Sequence, residues 1–160
     1  MSYKVKTGKQ SRDGQQDKFR TFEDLEIYKA AREFRKKMYG VTRRLPDSEK
    51  FELAGQIRRA AVSLTNNMAE GHGRFHYPDQ IRFFLHSRGS LEELVDDLNV
   101  CLDERYVPSD QIEKLKRQAG GALPLINGYL QYLRSRSTIV REIDKGDSEL
   151  LNLVEDLPPL

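Results

Sequence analysis

The sequence has no tryptophan and a single cysteine, Cys101. One cysteine excludes an intramolecular disulfide framework and fits a reducing compartment, so the expected location is cytoplasmic. Long apolar runs are missing as well. None approaches the roughly 20 residues needed to span a bilayer, and residues 1–20 lack the apolar core of a signal peptide. No membrane association is expected. Val, Ile and Thr never cluster into alternating runs, which leaves strands without support. No Pro/Gly/Ser-rich linker divides the 160 residues, so they should form one domain with a real core. Charge of one sign is also scarce: the net charge is +2, too mild by itself to mark a nucleic-acid binder.

What the chain does have is helical periodicity. Phe51, Ala54, Ile57, Ala61, Leu64 and Met68 recur at steps of three and four and form one apolar stripe on a helix. Leu53, Ala60 and Val62 widen the stripe beyond what a helix with one neighbour needs, so this is a central helix. Its other face carries Gln56, Arg59, Ser63, Asn66 and Asn67, a polar surface that tolerates partial burial against another subunit. The helix should stop at Gly71-His72-Gly73, with a glycine in the left-handed conformation.

Three further helices follow from the same reasoning. Thr21 offers an N-cap oxygen with Asp24 in the capping-box position, and Leu25, Tyr28, Ala31, Phe34, Met38, Val41 and Leu45 keep helical spacing up to Pro46. Pro78 opens a third helix with Ile81, Phe84, Leu91, Leu94, Val95, Leu98 and Leu102 facing inward. Gly89 and Ser90 lie in its middle, where close packing against another helix would offset glycine's cost. A fourth starts near Ser109 and carries Ile112, Leu115, Ala119, Ala122, Ile126, Tyr129 and Leu133, with Pro124 expected to kink it. Folding the third helix back on the second about residue 75 brings Arg58 and Arg59 towards Glu92 and Asp96, and Glu70 towards Arg82. At least one structural ion pair is expected among them.

Charge is distributed more tellingly than its sum suggests. Residues 1–20 hold Lys4, Lys6, Lys9, Arg12, Lys18 and Arg20 and read as a disordered basic leader. Residues 138–160 read as an acidic tail, amphipathic or disordered, and 21–137 as the helical domain. The first helix has a cationic side with Arg32, Lys36, Lys37, Arg43 and Arg44. Together with Arg59 and Arg74 these are the candidate nucleic-acid contacts.

Chemistry is sparse. His72 and His76 beside Glu70 and Asp79 make a weak metal signal, and no Glu-x-x-His motif supports a di-iron bundle. Cys101 sits beside Leu98 and Leu102 like a packing residue, and Gly71-His72-Gly73 lacks the Lys-Ser/Thr of a phosphate loop. No enzyme, no metal and no cofactor is expected.

Several motifs in order do carry a resemblance: Phe22-Glu-Asp-Leu25, Gln56-Ile-Arg-Arg-Ala-Ala-Val-Ser63, Asn67-Met-Ala-Glu-Gly71 with Gly73-Arg74, Arg82-Phe-Phe-Leu85 and Gly89-Ser-Leu-Glu-Glu-Leu94. Over about Thr21 to Arg136 the chain resembles the four-helix bundle proteins encoded in intervening sequences of bacterial 23S ribosomal RNA genes. The resemblance implies an all-α, antiparallel up-down-up-down four-helix bundle assembled into a ring-shaped homo-oligomer, a homopentamer, of unknown function and without known enzymatic activity. The accessory protein of diversity-generating retroelements has a similar architecture; it is a basic pentameric barrel that binds nucleic acid and a reverse transcriptase. Carried over by motif, the polar signature is Arg58, Arg59, Glu70, Arg74, Arg82, Ser90 and Glu93. The expected function is therefore non-enzymatic, electrostatic binding of RNA or DNA by an oligomeric bundle. The alternative is a protein-interaction scaffold whose partner is a protein such as a reverse transcriptase.

Overall fold

The computed structural model describes residues 21–155. The basic leader expected over 1–20 and the last five residues of the tail lie outside this range. Four helices account for most of the described chain: α1 (Glu26–Thr42), α2 (Leu53–His72), α3 (Tyr77–Asp103) and α4 (Ser109–Glu155). Each packs on its neighbours in sequence, and α4 closes back on α1. The short connections force antiparallel neighbours. The architecture is the expected all-α four-helix bundle, and no strand occurs among the described residues.

A 3-10 turn over Phe22–Asp24 precedes α1. Thr21 caps it, its hydroxyl accepting from the Glu23 N–H at 3.2 Å while Asp24 accepts from the Thr21 N–H at 3.0 Å. This satisfies donors that a helix start would otherwise leave open. Ile27, Tyr28, Ala31, Phe34, Met38 and Val41 are then buried along one side of α1. The helix ends at Thr42, before Leu45.

The stripe on α2 is buried from Leu53 to Met68, with Ala54, Ile57, Ala60, Ala61 and Leu64 between. Phe51 is the exception: its ring is 82% exposed. It precedes the helix, because Glu52 leaves helical geometry at φ −95° and ψ −101°, and helical spacing has no meaning before that point. The Glu49 carboxylate instead caps the start of α2, accepting from the Leu53 N–H at 3.2 Å.

Helix ends also depart from the sequence reading. Gly73 closes α2 with φ −79°, an ordinary right-handed value. Among the described residues the left-handed one is Arg105, at φ 58°. There the Tyr106 N–H reaches back to the Cys101 carbonyl at 2.9 Å and ends α3. Gly71, inside α2, is small because α3 lies against it: a Cβ there would come within 2.9 Å of the Phe83 Cβ and 3.1 Å of the Phe84 ring. Gly89, by contrast, faces open space. Its neighbour Ser90 makes the close contact, its hydroxyl 2.9 Å from that of Ser63.

The last helix is 47 residues long, about 70 Å at 1.5 Å per residue. It runs through Pro124 as one element. Pro124 cannot bond the Gly120 carbonyl, and both Gly120 and Gly121 are exposed, so the freed acceptor is open to solvent. Among the α4 residues whose burial is described, the buried positions run from Ile112 to Ser137. Beyond them the helix continues to Glu155, so the tail expected from residue 138 begins as part of α4.

One buried carboxyl is poorly satisfied among the described residues. Asp97 is 6% exposed, and its Oδ2 has no hydrogen-bond partner. Burial, with Glu93 and then Asp96 nearby, pushes its carboxyl up to about 6 from 3.8. Between these values the folded state binds more protons than the unfolded one, so stability falls as pH rises through that window. Asp97→Asn is therefore expected to raise stability by about 1 kcal/mol at pH 8 and to change little near pH 4. Urea unfolding at the two pH values checks this.

Candidate nucleic-acid interface

Between α1 and α2 lies a groove whose lining contains no carboxylate. One depression of about 590 Å³ is lined by Arg35, Lys36, Tyr39, Arg43 and Val62. A second, of about 520 Å³, is lined by Tyr39, Arg58, Arg59, Val62, Ser63, Asn66 and Asn67. Tyr39 and Val62 belong to both, so the two form one continuous surface.

The helices brace two of its cations across the groove. Arg35 on α1 donates to the Thr65 hydroxyl of α2 at 2.7 Å, and Arg58 on α2 donates through Nε to the Thr42 hydroxyl of α1 at 3.2 Å. A guanidinium carries five N–H donors, so each keeps several for a ligand. Lys36 is bonded to Glu33 at 2.9 Å on the outer side of α1; such exposed contacts hold a charge only weakly. Arg59 lies back across Gly55, its Nη1 3.3 Å from where a Cβ would stand. Among the described residues, Arg43 and Arg59 have no side-chain hydrogen bond or ion pair.

The other candidates fall elsewhere. Lys37 and Arg44 turn to the opposite side of α1, where with Lys114, Gln111 and Gln118 they line a depression of about 350 Å³ against α4. Arg44 is hydrogen-bonded there to Gln111. Arg32 is exposed on α1, one turn before Lys36. Arg74 lies after α2, paired with Glu70, with its guanidinium 4.7 Å from the Phe83 ring centre.

The ion pairs expected between α2 and α3 do not form. Arg82 is 3.8 Å from Asp79 on its own helix, Glu70 pairs with Arg74, and Asp96 accepts from Asn99. Glu92 is exposed, and no ion pair links α2 to α3 among the described residues. The faces that meet explain this. Ser87 donates to the Leu64 carbonyl at 2.9 Å and Ser90 meets Ser63, which centres the turn near His76 and runs the contact line through small residues. Arg58 and Arg59 fall to the α1 side of α2, and both are exposed. A hydrated guanidinium needs no buried carboxylate.

Sequence reasoning missed Arg35, Tyr39 and Lys114. Arg35 and Tyr39 stand on the same side of α1 as Arg32, Lys36 and Arg43 when turned at 3.6 residues per turn, so the signal was present for both. Cys101 is buried, and burial, with Asp97 and Glu49 nearby, pushes its thiol up to about 11, which keeps it from acting as a thiolate.

The model of the 23S rRNA-intervening sequence protein family matches residues 23–128, well over half of the chain. The chain belongs to the 23S rRNA-intervening sequence protein family. A comparison with curated proteins finds no match. The family match begins in the 3-10 turn before α1 and ends within α4, so it contains every residue of the α1–α2 groove. The remainder of α4 lies beyond it. No described helix of this family member is long and apolar enough to cross a membrane.

Proposed function

We propose that this family member is a cytoplasmic, non-enzymatic bundle that oligomerises through its helix faces and binds RNA or DNA electrostatically. The observation that carries the reading is the α1–α2 groove, where Arg35, Lys36, Arg43, Arg58 and Arg59 line one surface without a lining carboxylate. Phosphate contacts release counterions, so their contributions add along a strand. A protomer of net charge +2 becomes a stronger binder when the groove is repeated around a ring, because one strand engages several copies.

Size-exclusion chromatography with light scattering, with and without a mixed short RNA at low and moderate salt, tests the reading. An oligomer that captures RNA at low salt and releases it as salt rises is the expected result. An oligomer that ignores RNA in both buffers would favour the protein-interaction scaffold. A reverse transcriptase or other protein partner would then be captured equally well after nuclease treatment.

A further inference from the structure

The groove holds more than charge. Tyr39 lies at its centre, half-buried and common to both depressions. Its side chain packs against the core. Among the described residues it stacks on no other aromatic ring. Beside it Asn67 is fixed by donating to the Ser63 carbonyl and hydroxyl at 2.8 and 3.0 Å. Asn66 is exposed and keeps an amide donor and acceptor for a ligand.

From this we infer that the site takes single-stranded rather than duplex nucleic acid, with an unpaired base stacked on Tyr39 and the backbone following the flanking arginines. The inference rests on the nucleic-acid reading above and adds the ligand class. In a duplex the base faces are covered by their neighbours, and only phosphates and base edges reach a protein surface. A ring set into a groove between two helices has use for a base only when that base is unstacked. Each depression is within the size range of small-ligand sites. The ring supplies sequence-tolerant affinity, and the amides beside it can meet a base edge. Arg35 and Arg58 are already held by threonines of the facing helix, so less side-chain freedom is lost when a phosphate arrives.

Fluorescence anisotropy with a short labelled strand and a blunt duplex of equal length, each as RNA and as DNA, tests this at one low salt concentration. The full-length protein is compared with Tyr39→Leu, which keeps apolar bulk but removes the π face, and with Tyr39→Phe, which keeps both. For whichever sugar binds more tightly, the strand should bind at least about tenfold better than the duplex. Tyr39→Leu should lose roughly tenfold or more on the strand and almost nothing on the duplex, while Tyr39→Phe stays within about twofold of wild type. Equal affinity for strand and duplex, or a Tyr39→Leu protein that binds the strand as wild type does, would overturn the inference and leave the electrostatic reading standing. Absence of binding to any of the four probes at this low salt would instead remove the electrostatic reading itself. Light scattering on the same proteins covers the rival occupant. If Tyr39→Leu breaks the oligomer while strand affinity holds, the groove seats a second copy and the inference fails.

Discussion

Reversing Arg43 and Arg59 together, as Arg43→Glu with Arg59→Glu, is expected to weaken RNA binding on the order of 100-fold at low salt. Arg43 follows the end of α1 and Arg59 lies on α2, and the two flank the same groove. Each reversal removes one cation and adds one anion beside the phosphate path. The salt dependence should flatten in the variant, because fewer counterions are released per strand. Folding should not suffer. Neither side chain has a hydrogen bond or ion pair among the described residues, and exposed charge substitutions usually move stability by less than about 0.5 kcal/mol. Anisotropy titrations at two salt concentrations, with a thermal melt of each protein, check both halves. A variant that melts early would mean that the arginines support the bundle; one that binds normally would move the contact surface away from this groove.

The largest effect on stability is expected at Phe84. Its side chain is fully buried, lies over Gly71 of α2 and stands 4.6 Å from the Tyr129 ring of α4 at 47°. The ring therefore ties three helices at one level. Phe84→Ala should cost about 3–5 kcal/mol, combining lost transfer energy with the cavity left behind. The bundle cannot close that cavity cheaply, since α2 already contacts α3 through a residue without a side chain. Urea unfolding should show a lower midpoint with an unchanged slope. A loss below about 1 kcal/mol would mean that the three helices are not packed through this ring.

The fold was legible because apolar spacing alone distinguishes a buried helix face. Ile57, Leu64 and Met68 on α2, and Phe34 and Met38 on α1, are each fully buried, as their periodicity requires. Details that depend on how helices meet were not legible. Phe51 continued the spacing of α2 without belonging to the helix. The pairs assigned to Arg58 and Arg59 failed because both arginines stand on the side of α2 that faces α1, not α3. The close approach expected at Gly89 falls instead at Gly71, and Gly89 faces open space. Glycine spacing says nothing about which side a neighbour occupies.

The candidate site was legible by half. Arg32, Lys36, Lys37, Arg43 and Arg44 were visible as a cationic side of α1, but one helix cannot show that its charges divide between two grooves. That division needs the positions of α2 and α4. Tyr39 was hidden as well. It stands on the cationic side of α1, but only the position of α2 shows that Arg58 and Arg59 lie beside it.

Photo-crosslinking of a short single strand to the full-length protein, with the modified peptides mapped by mass spectrometry, tests the placement of nucleic acid most directly. Adducts should concentrate in the peptides of α1 and α2 that carry Tyr39, Arg43 and Arg59, and should fall away as salt rises. Adducts confined to α3 or the far part of α4, or adducts that ignore salt, would contradict the assignment of this groove to nucleic acid.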